Sequence, residues 1–166
     1  MILTDQAYMK NFFGIEQSDI ELQTIDHPAA ELYSHIIHKG IQAGVLLGGV
    51  IGPTVSVIKG PRTAVNAQRL FYKGGRIGLV AGLVAAPVFG IVNTYKYEGV
   101  EPYYDRAYRI RRNRNQLNID RAVTTFGTLG AVTGLVTRST NPLVAACFVG
   151  LVAGNVYNAA VPPAKA

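Results

Sequence analysis

The chain has 166 residues, 49% of them apolar and only 16% charged, with a mean hydropathy of +0.20. A disordered chain needs low hydrophobicity and high charge, so that class is excluded; the single cysteine, Cys147, excludes an internal disulfide framework and a thiolate metal cluster. The net charge of +6 is unevenly held, at −5 over residues 1–34, +9 over residues 35–121 and +2 over residues 122–166.

Residues 1–34 form an acidic segment, expected to lie outside a membrane. They contain no arginine, whereas a mitochondrial presequence is Arg-rich and poor in acids, so entry into an organelle would use internal signals. Asp26 is expected to cap a helix that has Pro28 close to its first turn. That helix leads into the first of four stretches without a charged side chain, at residues 40–58, 77–95, 122–137 and 139–164. A helix crosses about 30 Å of hydrocarbon with roughly 20 apolar residues. The first two stretches match that length and the fourth exceeds it. The third is short, but Asp120, Arg121 and Arg138 sit at its ends, and arginine side chains reach back to head groups. The expected fold is an all-α membrane protein with a four-helix membrane domain over residues 35–160. Its spans fall at about 40–58, 77–95, 122–137 and 141–160, and a tail follows at 161–166. Pro53 and Pro87 should kink the first two spans, and Asn141–Pro142 should start the fourth.

Glycine is a poor helix former, and its spacing here calls for a reason. Gly40, Gly44, Gly48 and Gly52 recur every fourth residue in the first span. Gly74, Gly78 and Gly82 lead into the second, with Ala86 and Gly90 in the same register. Gly127 with Ala131 and Gly130 with Gly134 mark the third, and Ala146, Gly150 and Gly154 the fourth. A step of four keeps these positions near one helix face. Such strips let backbones approach closely in lipid, where apolar burial gives no gain over the acyl chains.

The first loop, residues 59–76, carries five bases and no acid; the second, residues 96–121, carries seven bases and four acids. Within the second, Tyr104, Tyr108 and Arg111 share a helical face, and Asp105–Arg109 is an i,i+4 pair. Arg62, Arg69, Arg109, Arg111, Arg112 and Arg114 are candidates to contact anionic phospholipid, such as cardiolipin, or acidic partner surfaces. Interleaved arginine and tyrosine also suits single-stranded RNA, but beside four spans no nucleic-acid partner is expected. Charge counts leave the orientation open: ten bases lie on the side of the termini and six on the other.

The residues point to no enzyme, no metal and no cofactor. Glu31, His35 and His38 share a helical face, but a metal needs three or four ligands and a second shell. Cys147 sits in the fourth span, where a low dielectric leaves a thiol inert. There is no carboxylate inside a span to relay protons.

The run Gly40-Ile-Gln-Ala-Gly44-Val-Leu-Leu-Gly48-Gly49, followed by Ser56-Val-Ile58-Lys59-Gly60 and Arg62, resembles the first span and exit of the mitochondrial inner-membrane translocase channel family. Residues 74–90, 127–134 and 150–154 are similar to its other three spans, so the resemblance covers roughly residues 36–160. The family's charged approach to the third span is only loosely matched by Arg114 through Asp120, and its acidic and paired-cysteine features are missing from the spans. The stretch Tyr103-Tyr104-Asp105-Arg106-Ala107-Tyr108-Arg109 looks more like the divergent branch that serves as an accessory subunit of respiratory complex I. The resemblance implies a non-catalytic role in the inner membrane, with termini in the intermembrane space. The implied partners are membrane subunits of complex I and neighbouring respiratory complexes. The alternative it implies is a subunit of a protein-import translocase.

Overall fold

A computed structural model describes residues 6–13, 15 and 17–161, all of whose regular structure is α-helical. The helices are α1 (Gln6–Phe13), α2 (Asp19–Gln23), α3 (Pro28–Lys59), α4 (Ala64–Thr94), α5 (Glu101–Arg112), α6 (Arg114–Thr137) and α7 (Asn141–Ala160). Of the tail expected at 161–166, residues 162–166 lie outside the described residues.

Local chemistry sets the helix ends. Ser18 and Glu21 form a reciprocal capping box on α2. His27, not Asp26, occupies the cap of α3, with Pro28 as its first residue and no side-chain bond to the cap. The Thr63 side chain accepts from the Asn66 N–H to start α4. Asn113 ends α5 and caps α6, accepting from the Gln116 N–H at 3.1 Å. Thr140, one residue before the expected Asn141, caps α7. α6 closes on Arg138 in the left-handed region (φ 51°), and the amides of Arg138 and Ser139 both donate to the Gly134 carbonyl.

α3 and α4 pack as one antiparallel hairpin and α6 and α7 as a second. The hairpins meet largely through α7. Val144 is fully buried against Gly75, and the rings of Phe71 and Phe148 stand edge-on at 5.3 Å beside Gly49. Helices α3, α4 and α7 are each long and apolar enough to cross a membrane. α6 carries Arg114, Asp120 and Arg121 in its first two turns, and its uncharged part is residues 122–137. Outward faces are aliphatic: Val84 is 64% exposed, and Leu135 and Val136 are 81% and 80% exposed. A surface of that kind is solvated by hydrocarbon and is unfavourable in water.

The first basic loop is shorter than expected. α4 begins at Ala64, so Arg69, Lys73 and Arg76 stand on its opening turns. Gly44 faces Gly78, which sets residues 40–58 of α3 beside roughly 64–82 of α4. The two uncharged stretches therefore overlap only near that crossing, because backbone contact, not matched hydropathy, sets the register. The short helices α1, α2 and α5 gather at the opposite end, where α3 and α6 begin and α4 and α7 finish. Both ends of the described chain lie there.

Candidate functional site

Two features carry the chemistry of the described residues: a glycine-floored groove and a polar assembly at the end with the chain ends. The groove forms where α3 crosses α4. A Cβ on Gly44 or Gly48 would overlap the carbonyl of Gly78 or Gly74; a Cβ on Gly74, Gly78 or Gly82 would overlap the carbonyl of Gly48, Gly44 or Gly40. Gly40 faces Gly82 and Ala86, while a Cβ on Gly52 would overlap the Leu70 carbonyl. The crossing leaves an open cavity of about 920 Å³ along the hairpin. Its walls are apolar, with Lys73 at the loop end and His35 and Lys39 at the other.

In the second hairpin, a Cβ on Gly150 would lie 2.8 Å from the Ala122 carbonyl oxygen. One on Gly154 would lie 2.7 Å from the Ile119 Cα, and one on Gly130 2.6 Å from the Pro142 carbonyl oxygen. Gly134 differs from the expectation. It faces Ser139 in its own loop and serves the helix end rather than a helix–helix contact.

The polar assembly has two centres. Arg111 is 1% exposed, and its guanidinium forms a two-pronged pair with Glu31, Nε donating at 3.0 Å. Nη1 also donates to the Thr24 carbonyl at 2.9 Å and the Glu21 carbonyl at 3.3 Å, and the Arg111 carbonyl accepts from Asn11 at 2.7 Å. One side chain thus ties α5 to α3 and α2, and its carbonyl ties α5 to α1. At the second centre, Asp120 of α6 is buried against α3. It accepts from Lys39, from Gln42 at 2.6 Å and from Gln116 at 3.5 Å, and it faces His35 Nδ1 at 3.4 Å. Burial opposes its ionisation, but the hydrogen bonds from His35, Lys39 and Gln42 and the Lys39 charge outweigh it, holding the carboxyl well below the usual carboxylate range.

The acidic leading segment meets the second basic loop in further pairs. Arg112 reaches Asp19 at 2.7 Å, and Arg121 donates to the carbonyls of Asn11 and Phe12. Lys10 meets Glu21 at 3.3 Å; a backbone bond from Ser18 and then Lys10 lower the Glu21 pKa. Asp105 and Arg109 form the expected pair at 3.0 Å.

Of the arginines expected at lipid or a partner, Arg111 is the correction. Its charge is consumed internally by Glu31, because a buried guanidinium requires a carboxylate. Arg62, Arg69, Arg109, Arg112 and Arg114 are exposed. The candidate ligands Glu31 and His35 also turn apart, one to Arg111 and one to Asp120. The Asp120 centre went unrecognised as a site in the sequence. Its signal was a lone acid with no other acid after it, just before an uncharged stretch.

Residues 8–160 match a family described as protein of unknown function (DUF1757). The chain belongs to the DUF1757 family. The match spans both hairpins of this DUF1757 chain and begins within α1, so the polar assembly belongs to the shared unit. No curated protein matches the chain.

Proposed function

We propose that the chain is a non-catalytic accessory subunit of mitochondrial NADH:ubiquinone oxidoreductase (complex I). In this reading four helices span the inner membrane, α6 being the fourth, and both termini face the intermembrane space. It stabilises contacts between membrane subunits of complex I or with neighbouring respiratory complexes, and anionic phospholipid such as cardiolipin is a companion partner. The observation that carries the reading is the α3–α4 crossing, where glycine faces glycine over three successive turns beneath aliphatic outer faces. Close backbone approach is how helices associate where apolar burial gives no drive. The motif resemblance supplies the membrane and the complex, and the exposed arginines supply contacts for lipid or partner carboxylates.

A second reading, a subunit of a protein-import translocase, draws on one observation. Gln42 and Asn155, two of the few polar groups in the spans, meet with Lys39 and Gln116 at a cleft of about 300 Å³ between the hairpins. Asn155 donates to the Leu151 carbonyl and Asn93 to the Phe89 carbonyl, each on its own helix, which leaves little to line a hydrophilic path. Depletion of the chain tests the two. Loss of complex I assembly with normal precursor import supports the first reading; intact complex I with failed import overturns it.

A further inference from the structure

We propose that the α3–α4 groove holds an acyl chain of an anionic phospholipid whose phosphate is bound by Lys73 and Arg69. The inference rests on the reading of the chain as a membrane subunit and adds a defined lipid site to it. The glycine floor leaves a trough walled by Leu47, Ile51, Ile77 and Phe89. Lys73 and Phe89 lie about 24 Å apart along α4 at 1.5 Å per residue, room for an extended hydrocarbon chain.

Charge gives the trough a direction. Residues 32–97 contain no acid, and the hairpin's one carboxylate, Glu31, sits at its opposite end, paired with Arg111, so neither Lys73 nor Arg69 has a carboxylate nearby on its own hairpin. Among the described residues Lys73 has no hydrogen-bond or ion-pair partner, and Arg69 makes a 3.3 Å bond to Asn66. Arg69 precedes Lys73 by one turn on the same flank of α4. Arg76, the next cation on that flank, is turned to Thr140 and lies outside the site. At the far end, Lys39 and His35 also line the groove, but Asp120 engages both. One end thus offers uncompensated cations, the other a neutralised pair, and an apolar trough joins them. That polarity fits an amphiphile with a phosphate at one end. A phosphate diester suits lysine and arginine through charge-assisted hydrogen bonds, and a wholly apolar partner helix would leave Lys73 uncompensated.

The test is native mass spectrometry of the purified full chain, released from detergent micelles doped with either phosphatidylglycerol or phosphatidylcholine. The wild type should retain phosphatidylglycerol about tenfold more tightly than phosphatidylcholine. Lys73→Gln with Arg69→Gln should abolish that preference. Ala81→Phe, on the exposed groove wall, should reduce retention of both lipids without lowering the thermal stability of the chain. Equal retention by the wild type, a preference that survives the double substitution, or a filled groove that retains lipid unchanged overturns the proposal. So does efficient disulfide dimerisation of Ala81→Cys in vesicles containing phosphatidylglycerol, which would assign the groove to a second copy of the chain. Lipid retention is read on the isolated protein, so its failure leaves the complex I reading standing. Conversely, absence of the chain from complex I with lipid retention intact would overturn only the complex I assignment.

Discussion

At the scale of single residues, the least replaceable side chain is Arg111 and the least replaceable absence of one is at the α3–α4 crossing. Arg111→Ala would leave Glu31 buried without its partner, at a cost of about 3–5 kcal/mol. The Glu31→Gln, Arg111→Met double variant should recover part of that loss; thermal unfolding in detergent measures both. At the crossing, Gly48→Leu must displace the Gly74 carbonyl, so destabilisation of about 3 kcal/mol is expected, the upper range for overpacking. Leu46→Ala, on an exposed position of the same helix, should be tolerated far better. Equal stability of the two variants would refute the packing role of the glycines. Asp120→Asn should weaken the tie between hairpins by about 1.5–3 kcal/mol, the range for hydrogen bonds to a charged group. The pH dependence has a definite sign. The folded carboxyl titrates below its unfolded value, so its contribution is complete above the ordinary carboxylate range near pH ~4. It is lost as pH falls below that range toward the depressed folded pKa.

At the scale of elements, much was legible in the sequence, and the misses have physical causes. Uncharged stretches marked three helices long and apolar enough to span, because lipid-facing helices need apolar character on nearly every side. The four-residue glycine repeat lies where the backbones of α3 and α4 approach each other. The start of α3 at Pro28 was legible, but the length of α4 was not. α4 begins well before its uncharged part, since charged residues are good helix formers once outside hydrocarbon and nothing in the sequence breaks it there. The offset of the two uncharged stretches was hidden too, because it depends on which glycine meets which. Long-range pairs such as Glu31–Arg111 and Lys39–Asp120 could be foreshadowed only as opposite charge on separate segments. The status of α6 is testable at this scale. Single cysteines placed at Arg114 and Arg138, in a Cys147→Ala background, should react with a membrane-impermeant maleimide from opposite sides of sealed vesicles. Labelling of both from one side would remove α6 from the set of spans.

At the scale of the whole molecule, charge is sorted by end. The carboxylates of the described residues lie in α2, just before and at the start of α3, in and just before α5, and in the first two turns of α6, all at the end that gathers the chain ends. There Asp19, Glu21, Glu31, Asp105 and Asp120 are met by arginine or lysine, in an assembly centred on Arg111 and Asp120. At the other end Lys59, Arg62, Arg69, Lys73 and Arg138 have no acid beside them. The chain thus holds one end together through its own ion pairs and leaves the bases of the other end without carboxylates; in the proposed reading, that second end is the one offered to anionic lipid or to acidic partner surfaces. The most direct test of the central claim is a native gel of mitochondrial membranes carrying a tagged copy of the chain, solubilised in mild detergent and stained for NADH dehydrogenase activity. The expected result is the tag in the active complex I band. A tag found only in bands without that activity would contradict it.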